Sequence, residues 1–490
     1  MKENKSLTEK NNENVKRSLN LSIKEGILQS ISGSIFSTFL VPLALSLRAT
    51  NFQIGLIATA QQIAATAGQI PGAKLTAYMN RKNIWLMGQL VGRIAIWIPI
   101  ILLPFLNLQD PMTFLIILAA MSSLFMAFRG PAWSSLMGDL VKQEIRGQYF
   151  GRRNMLIGLA GVITTLVAGF LIGFVGFSVI FLIGLAAGVL AIFYFMRIYE
   201  PPVQRIFHYK HDFALRPSDW IFSIKSNMSL VIFTVYTTSF NFAVELAAPF
   251  YTVYMLKDLG FSYEIFSVIV ILGAVARLIS FKYWGRLNDK FGSRRILIVT
   301  GLFSCVIPFG WMLSTSVWQV ALVKIYDGFI FAGFDQVVFN YLLDVTPAGK
   351  RPQYIANYNF FAGIGIVFGT MSGAFLAQSL EGTTFFWLAG LQILFFLSFI
   401  LRAASCTLLV KIKDIQVRQT DIMPVTHVMW RAVAVEPAAG IRHAINYTFR
   451  YAFDREAEYV KAIQKRKEKE NIMSPFFLQR PSGNKRNEGK

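Results

Sequence analysis

The sequence predicts an all-α polytopic membrane protein with twelve transmembrane helices arranged in two six-helix bundles. Of its 490 residues, 54% are hydrophobic and only 15% are charged, whereas about a quarter of the residues of a soluble domain are charged. Apolar runs long enough to cross about 30 Å of hydrocarbon follow one another along the chain. These runs are continuous rather than alternating, which excludes a membrane β-barrel. In addition, the two halves of the chain repeat one set of polar residues.

The apolar runs define twelve predicted spans, and most of them contain about 20 residues or more. In chain order they cover residues 27–47, 52–72, 84–106, 112–136, 154–175, 177–197, 228–255, 263–283, 296–314, 318–342, 354–378 and 384–408.

Lysine and arginine counts predict the orientation of these spans. The loops placed inside carry 19 Lys or Arg residues, and the loops placed outside carry two, Arg48 and Lys257. Cytoplasmic loops accumulate such cations, so we expect a cell-membrane protein with both termini in the cytoplasm. The net charge of +21 then has a cause other than nucleic-acid binding. The predicted segments are a cytoplasmic N-terminal tail 1–26, a bundle 27–197, a cytoplasmic linker 198–227, a second bundle 228–408 and a basic cytoplasmic tail 409–490.

An internal repeat relates the two predicted bundles. An offset of 205 carries Asp139 onto Asp344 and Arg146 onto Arg351. The same offset also matches Gln148, Tyr149, Asn154 and Gly158 to Gln353, Tyr354, Asn359 and Gly363. Six shared polar or glycine positions in one register indicate a duplicated six-span unit.

The stretch Gly285 to Arg295, between spans eight and nine, reads G-R-L-N-D-K-F-G-S-R-R. It resembles the loop signature of the major facilitator superfamily (MFS) at every defined position. Its two glycines are expected to permit tight turns. The defined positions are Gly285, Leu287, Asp289, Lys290, Gly292, Arg294 and Arg295.

The resemblance covers about residues 27–408 and implies the MFS fold, with alternating access between two bundles. It also implies that Asp289 closes the inner gate by capping the cytoplasmic end of span eleven, near Tyr354 to Asn359. The first-half copy of the motif, at Ala73 to Asn83, carries Ala77 at the position of this aspartate. The resemblance therefore implies a gate that depends mainly on the second half.

Charged residues inside spans suggest function, because placing them in hydrocarbon is costly. By the resemblance, spans one, four, seven and ten line the central cavity. Lys324 and Asp327 can pair, being three residues apart on one helix; neutralisation alone is the alternative. Arg129 binds substrate or extends to lipid phosphates, and Arg402 can extend in the same way. Arg277 is a gate residue or extends to phosphates. Arg93 has no assigned role, because by the resemblance its helix faces lipid. The substrate or coupling candidates are Glu245, Asp335, Asp327, Lys324, Asn241 and Arg129.

No enzyme motif, zinc spacing or cofactor motif occurs in the sequence. We therefore expect no enzymatic activity, no cofactor and no metal. The expected partners are a small-molecule substrate, the lipid bilayer and protons, but not nucleic acid. The predicted function is secondary active transport of a small solute, coupled to protons through Glu245 or Asp335 as the two most isolated carboxylates. The alternatives are an MFS-derived lipid flippase or membrane-complex assembly factor, or a receptor or scaffold that acts through its tail.

Overall fold

The first half of the chain consists of long helices that match the predicted spans. The computed structural model describes residues 2–106, 108–141, 146–200, 228–346 and 351–412. The linker residues 201–227 and the tail from residue 413 lie outside this description. The tail includes Ile441 to Phe453, where apolar residues at helical spacing predict a helix. The helices of the first half are α1 (Lys2–Ser46), α2 (Asn51–Tyr78), α3 (Arg81–Gln89), α4 (Ile96–Leu102), α5 (Pro111–Leu140) and α6 (Arg146–Met196).

The second half repeats this organisation. Its helices are α7 (Met228–Ala247), α8 (Phe250–Val253), α9 (Tyr263–Phe291), α10 (Ser293–Leu313), α11 (Val317–Val345), α12 (Arg351–Ser379) and α13 (Leu391–Cys406). The short strands β1 (Thr384–Phe385) and β2 (Leu388–Ala389) pair in antiparallel fashion between α12 and α13.

Two of the predicted spans contain a segment of π-helix. Leu90–Ala95 joins α3 to α4 within span three, and Tyr254–Asp258 follows α8 at the end of span seven. A π-turn inserts an extra residue into the helix and often marks a functional position. Short 3-10 segments at Leu103–Phe105 and Thr407–Lys411 end spans three and twelve.

Ten helical segments of the described chain are long and apolar enough to cross a membrane. Helix α6 is one of them, but it covers both predicted spans five and six. Its backbone breaks at Gly176, where φ is 78° and ψ is 170°. Glycine adopts this positive φ without the steric cost that a side chain would add. Helix α2 is the predicted span that falls outside the ten.

The first helix is longer than the predicted first span. It begins at Lys2, whereas the predicted span begins at residue 27. Ser18, Ser22 and Glu25, which the sequence assigns to the tail, are all buried. The end of the assigned tail is therefore part of the packed bundle.

Helix packing follows the same pattern in the two halves. In the first half, α1 packs on α6, α5 packs on both α2 and α3, and α4 also contacts α6. In the second half, α7 packs on α12, α11 packs on both α9 and α10, and α10 contacts α13. Each second-half pair lies six spans after its first-half counterpart, as expected for a duplicated unit.

Two symmetry-related pairs of helices join the halves, α2 with α12 and α6 with α9. Their close contacts lie toward the predicted outer end, the end near residues 46–51, 258–263 and 379–391. Thr59 Oγ1 donates a hydrogen bond to Thr370 Oγ1 at 2.8 Å. Phe52 and Phe375 pack with their ring centroids 5.0 Å apart. The structure is therefore closed at this end.

The motif between spans eight and nine has a different backbone from the predicted loop. Gly292 does end α9, with a positive φ of 81°. Gly285, however, lies inside α9, so the expected turn at this residue is wrong. A Cβ atom at Gly285 would lie 3.0 Å from Gln336 Nε2. This glycine permits close packing between α9 and α11 rather than a turn.

Candidate functional site

A cavity of about 600 Å³ opens between α2 and α5. None of its lining residues is among the sequence-predicted candidates. Its polar groups are the amide of Gln69 and the hydroxyl of Ser123. The cavity is lined by Ala65, Gln69, Ser123, Met126, Ala127, Gly130 and Pro131. This mostly apolar surface with two hydrogen-bonding groups is typical of a site for a small organic molecule.

In the second half, four of the charged residues within spans form two ion pairs. Lys324 Nζ lies 2.7 Å from Asp327 Oδ2, so the predicted pairing is confirmed. Arg277 of α9 forms an ion pair with Asp335 of α11. Asp335 is therefore not an isolated carboxylate, because the close packing of α9 and α11 brings Arg277 to it. Both members of the second pair are exposed, so this pair is open to exchange with another charged group.

Glu245 differs from Asp335 because no ion pair among the described residues includes it. It faces α12, since a Cβ atom at Gly369 would lie 3.1 Å from Glu245 Cβ. Arg402 is close enough to interact with it electrostatically. Glu245 thus makes no direct ion pair within the described chain, although a buried arginine lies near it. The candidate Asn241 is half-buried on the same helix, one turn away.

Arg402 does not extend to lipid phosphates. It is 1% exposed and donates hydrogen bonds to Ser304 O at 3.1 Å and to the Tyr251 hydroxyl at 3.4 Å. Tyr251 in turn stacks on Trp311, with ring centroids 4.6 Å apart. Aromatic and polar partners in the second-half bundle therefore keep this guanidinium inside.

Arg129 also turns inward instead of reaching phosphates. Its Nη1 donates to Gln29 Oε1 at 2.8 Å and to Gln89 Oε1 at 2.6 Å. Arg93, which the sequence places on a lipid-facing helix, is only 6% exposed and lies over the Trp97 ring. Both arginines thus belong to a polar cluster inside the first half.

The sequence analysis did not identify the polar face of α1, which contributes residues to this cluster. Glu25 Oε2 accepts a hydrogen bond from Arg153 Nη2 at 3.3 Å, with both side chains nearly inaccessible. A signal was present in the chain, because polar residues recur every three or four positions and so share one helical face. These residues are Ser18, Ser22, Glu25, Gln29 and Ser32.

The repeat-related aspartates make equivalent contacts in the two halves. Asp139 accepts a hydrogen bond from Arg81, the first residue of α3, at 2.5 Å. Asp344 accepts one from Ser293, the first residue of α10, at 2.8 Å. Arg81 and Ser293 are themselves related by the motif offset, since 293 − 81 = 212. The side chains of the partner positions Arg146 and Arg351 lie outside the described part.

The helix that carries the gate motif has a different neighbour in the other half from the one expected. Helix α9 packs across the two halves against α6, which contains span five, whereas α12 packs on α2 and α7. The two-fold repeat explains this, because a second-half motif faces the first-half span five as a first-half motif would face span eleven. Leu287 is buried, while Asp289 and Lys290 are exposed and Arg294 and Arg295 are half-buried.

A duplicated bundle of apolar helices, with charged side chains inside its spans, defines a multi-pass membrane protein of the transporter class. The sequence model described as "Major Facilitator Superfamily" matches residues 26–242 and 228–439. The chain therefore belongs to the Major Facilitator Superfamily, and the predicted fold of twelve helices in two bundles is confirmed.

Individual relatives are more distant. The chain is 29% identical over 157 residues to the uncharacterized MFS-type transporter YitZ of Bacillus subtilis. This match covers 32% of the chain and 94% of YitZ. It is 24% identical to the multi-drug resistance efflux pump PmrA of Streptococcus pneumoniae over 61% of this chain and 74% of PmrA. Five further relatives are matched over only 22% to 40% of their own length.

A solved structure shows the same fold. A bacterial homologue of the iron transporter ferroportin, in an inward-facing state, superimposes with a TM-score of 0.63 and 15% sequence identity. The match covers 81% of this chain and 98% of the homologue. At this identity the likeness concerns the fold alone.

Proposed function

We propose that the protein is a secondary active transporter that moves a small solute across the cell membrane by alternating access. The observation that carries the proposal is the position of the contacts between the halves. They join α2 to α12 and α6 to α9 toward one end of the bundle. The two halves can therefore separate at the opposite end while these contacts remain, which is the geometry that alternating access requires.

The orientation belongs to the same proposal. With both termini and the linker in the cytoplasm, the closed end faces outward and the described conformation opens inward. The excess of Lys and Arg in the loops of the opposite end supports this orientation.

We assign proton coupling primarily to Glu245. Carboxylates within spans are typical members of proton relays, and Glu245 has no ion-pair partner among the described residues. Asp335 can contribute only when its pair with Arg277 opens. Proton binding at Asp335 would break its ion pair and release Arg277, whereas proton binding at Glu245 would break no ion pair within the described chain. The family names of YitZ and PmrA support transport, and PmrA's name suggests drugs as the first solutes to test.

A disulfide lock across the closed end tests alternating access. The hydroxyls of Thr59 and Thr370 lie 2.8 Å apart, so thiols at these positions can form a disulfide, whose sulfur atoms lie about 2.05 Å apart. The variant Thr59→Cys/Thr370→Cys is made on a Cys305→Ser/Cys406→Ser background. A solute is first selected by thermal shift, because a ligand stabilises the folded state that binds it. Counterflow of that solute is then measured in proteoliposomes.

We expect oxidation to abolish counterflow in the double-cysteine variant and reduction to restore it. The single variants Thr59→Cys and Thr370→Cys are the matched controls and should transport under both conditions. Counterflow at an unchanged rate through the oxidised, fully cross-linked variant would show that the two ends do not alternate.

A further inference from the structure

We propose that the first half contains a binding site for an oxyanion group, a carboxylate or phosphate carried by the transported solute. The site is built around Arg93 and Arg129. The inference rests on the proposed function, because it names the chemical class of the solute.

Three helices bring the inner part of the site together around Gly188 of α6. A Cβ atom at Gly188 would lie 3.0 Å from Arg93 Cδ, 3.2 Å from Gln89 Nε2 and 3.4 Å from Ser32 Oγ. Arg93 lies in the π-helical segment Leu90–Ala95. Such segments often occur at functional positions because they redirect side chains.

Arg129 connects this inner part to the surface of the half. Its Nη1 hydrogen-bonds both Gln29 and Gln89, and Gln89 Nε2 donates to Gly188 O at 3.1 Å. Arg129 and Gln29 are half-buried. A Cβ atom at Gly130, next to Arg129, would meet no atom within 4 Å. Gly130 also lines the cavity between α2 and α5. The cavity therefore reaches the residue next to Arg129 in the chain, although Arg129 itself is not one of its lining residues.

The unpartnered atoms of the cluster have one chemistry in common. Arg93 is 94% buried, from its exposure of 6%, and its Nε and Nη1 have no hydrogen-bond partner within the described chain. The same holds for Arg129 Nε, Gln29 Nε2 and Ser32 Oγ. The nitrogen atoms can only donate, and the hydroxyl can donate as well. A ligand that satisfies them must supply acceptors.

The charge balance selects an anion among the possible acceptors. Two guanidinium groups lie in the cluster. The carboxylate of Glu25, one turn from Gln29, interacts electrostatically with Arg129 but is bonded to a third guanidinium, that of Arg153. One carboxylate among three guanidinium groups leaves an excess of two positive charges. Trp97 stacks under Arg93, with 4.9 Å from Cζ to the ring centroid, which offsets only part of the cost of burying this charge. An oxyanion would accept hydrogen bonds from several of these donors and would offset the remaining positive charge. A cationic solute would instead increase the excess of positive charge.

Thermal unfolding of the purified full-length protein tests the site directly. The probes are inorganic phosphate and succinate, added at constant ionic strength balanced with sodium chloride. We expect at least one of them to raise Tm in a saturable manner. Arg93→Gln should weaken its binding by about tenfold to a hundredfold, the effect of losing a hydrogen bond to a charged group. Ser32→Ala should weaken it by about twofold to tenfold.

The control is Arg197→Gln, which removes an exposed arginine that stacks on Phe193 at the end of α6. It should bind the probes like the wild type. If Arg93→Gln fails to fold, Arg93→Lys and Ser32→Ala decide the matter, because the first keeps the charge and the second removes only one hydroxyl. Binding that is weakened in both supports the site.

Three results would overturn the inference: no response of the wild type to either anion, an equal rise with chloride alone, or equal affinity in the wild type and the site variants. These results are separable from a failure of the proposed function. A protein that transports a neutral solute and loses transport on cross-linking at Thr59 and Thr370 would remain a transporter without an anion site.

Discussion

Arginines within the spans are the residues whose roles the sequence alone predicted least well. Arg93, Arg129 and Arg402 all lie in apolar runs, where an arginine side chain can either turn into the bundle or extend to lipid phosphates. The guanidinium groups of Arg129 and Arg402 remain inside because their hydrogen-bond partners come from other helices. Gln29 and Gln89 reach Arg129, and Tyr251 reaches Arg402. A linear sequence shows the cost of such a charge but does not show which distant residue offsets that cost.

The pair of Glu25 and Arg153 is the most deeply buried ion pair among the described residues, with side chains 3% and 9% exposed. Removing one partner leaves an uncompensated buried charge, which costs about 3–5 kcal/mol. We expect Glu25→Gln to lower the apparent Tm clearly. Replacing both residues, as Glu25→Gln/Arg153→Met, should recover part of the loss. The measurement is thermal unfolding in detergent.

The exposed pair of Lys257 and Glu381 provides the control, with side chains 46% and 43% exposed. Surface pairs contribute about 0–1 kcal/mol, so Glu381→Gln should change Tm little. A loss in Glu381→Gln as large as that in Glu25→Gln would mean that burial does not determine the cost here.

At the scale of helices, glycine positions decide which pairs cross closely. The sequence shows glycines in most spans, but only the structure shows which of them face another backbone. Gly273 and Gly328 lie where α9 crosses α11, and a Cβ at Gly328 would lie 2.1 Å from Gly273 O. Gly138 of α5 has no atom within 4 Å of its Cβ position. Both types look alike in the sequence.

We therefore expect Gly328→Val to separate α9 from α11 and to lower stability by at least about 1–3 kcal/mol, the usual cost of overpacking. Gly138→Val is the matched control, since it places the same side chain on a helix with free space around it. The apparent Tm of the two purified variants measures the difference. Equal Tm values would show that the crossing can relax without cost.

The long apolar runs, the loop charges and the duplicated polar positions were enough to predict the helices, their order and the family. These features are local or periodic, so the sequence displays them directly. The pair of Arg277 with Asp335 and the polar face of α1 depend on which helices become neighbours. The sequence also does not show which span lies beside the helix that carries the gate motif. We expected span eleven, whereas α9 packs beside span five, as the two-fold repeat requires.

At the scale of the whole molecule, closure of the predicted outer end depends on small residues of α2 and α12. A Cβ at Gly55 would lie 2.4 Å from Ala374 Cβ, so Gly55→Leu should prevent this closure. It should shift the population toward an outward-open conformation. Asp289→Asn should act in the opposite direction, because the first-half motif has Ala77 at the corresponding position and provides no second carboxylate.

One labelling assay distinguishes the two shifts. Ser123 lines the cavity, so Ser123→Cys on the Cys305→Ser/Cys406→Ser background reports access to it. A membrane-impermeant thiol reagent is applied to right-side-out and to inside-out vesicles. Gly55→Leu should increase labelling from outside and decrease it from inside, and Asp289→Asn should do the reverse. A shift of tenfold in the ratio corresponds to about 1.4 kcal/mol between the two conformations. An increase from both sides in either variant would indicate general loosening of the bundle instead of a gate, because alternating access couples the two changes with opposite sign.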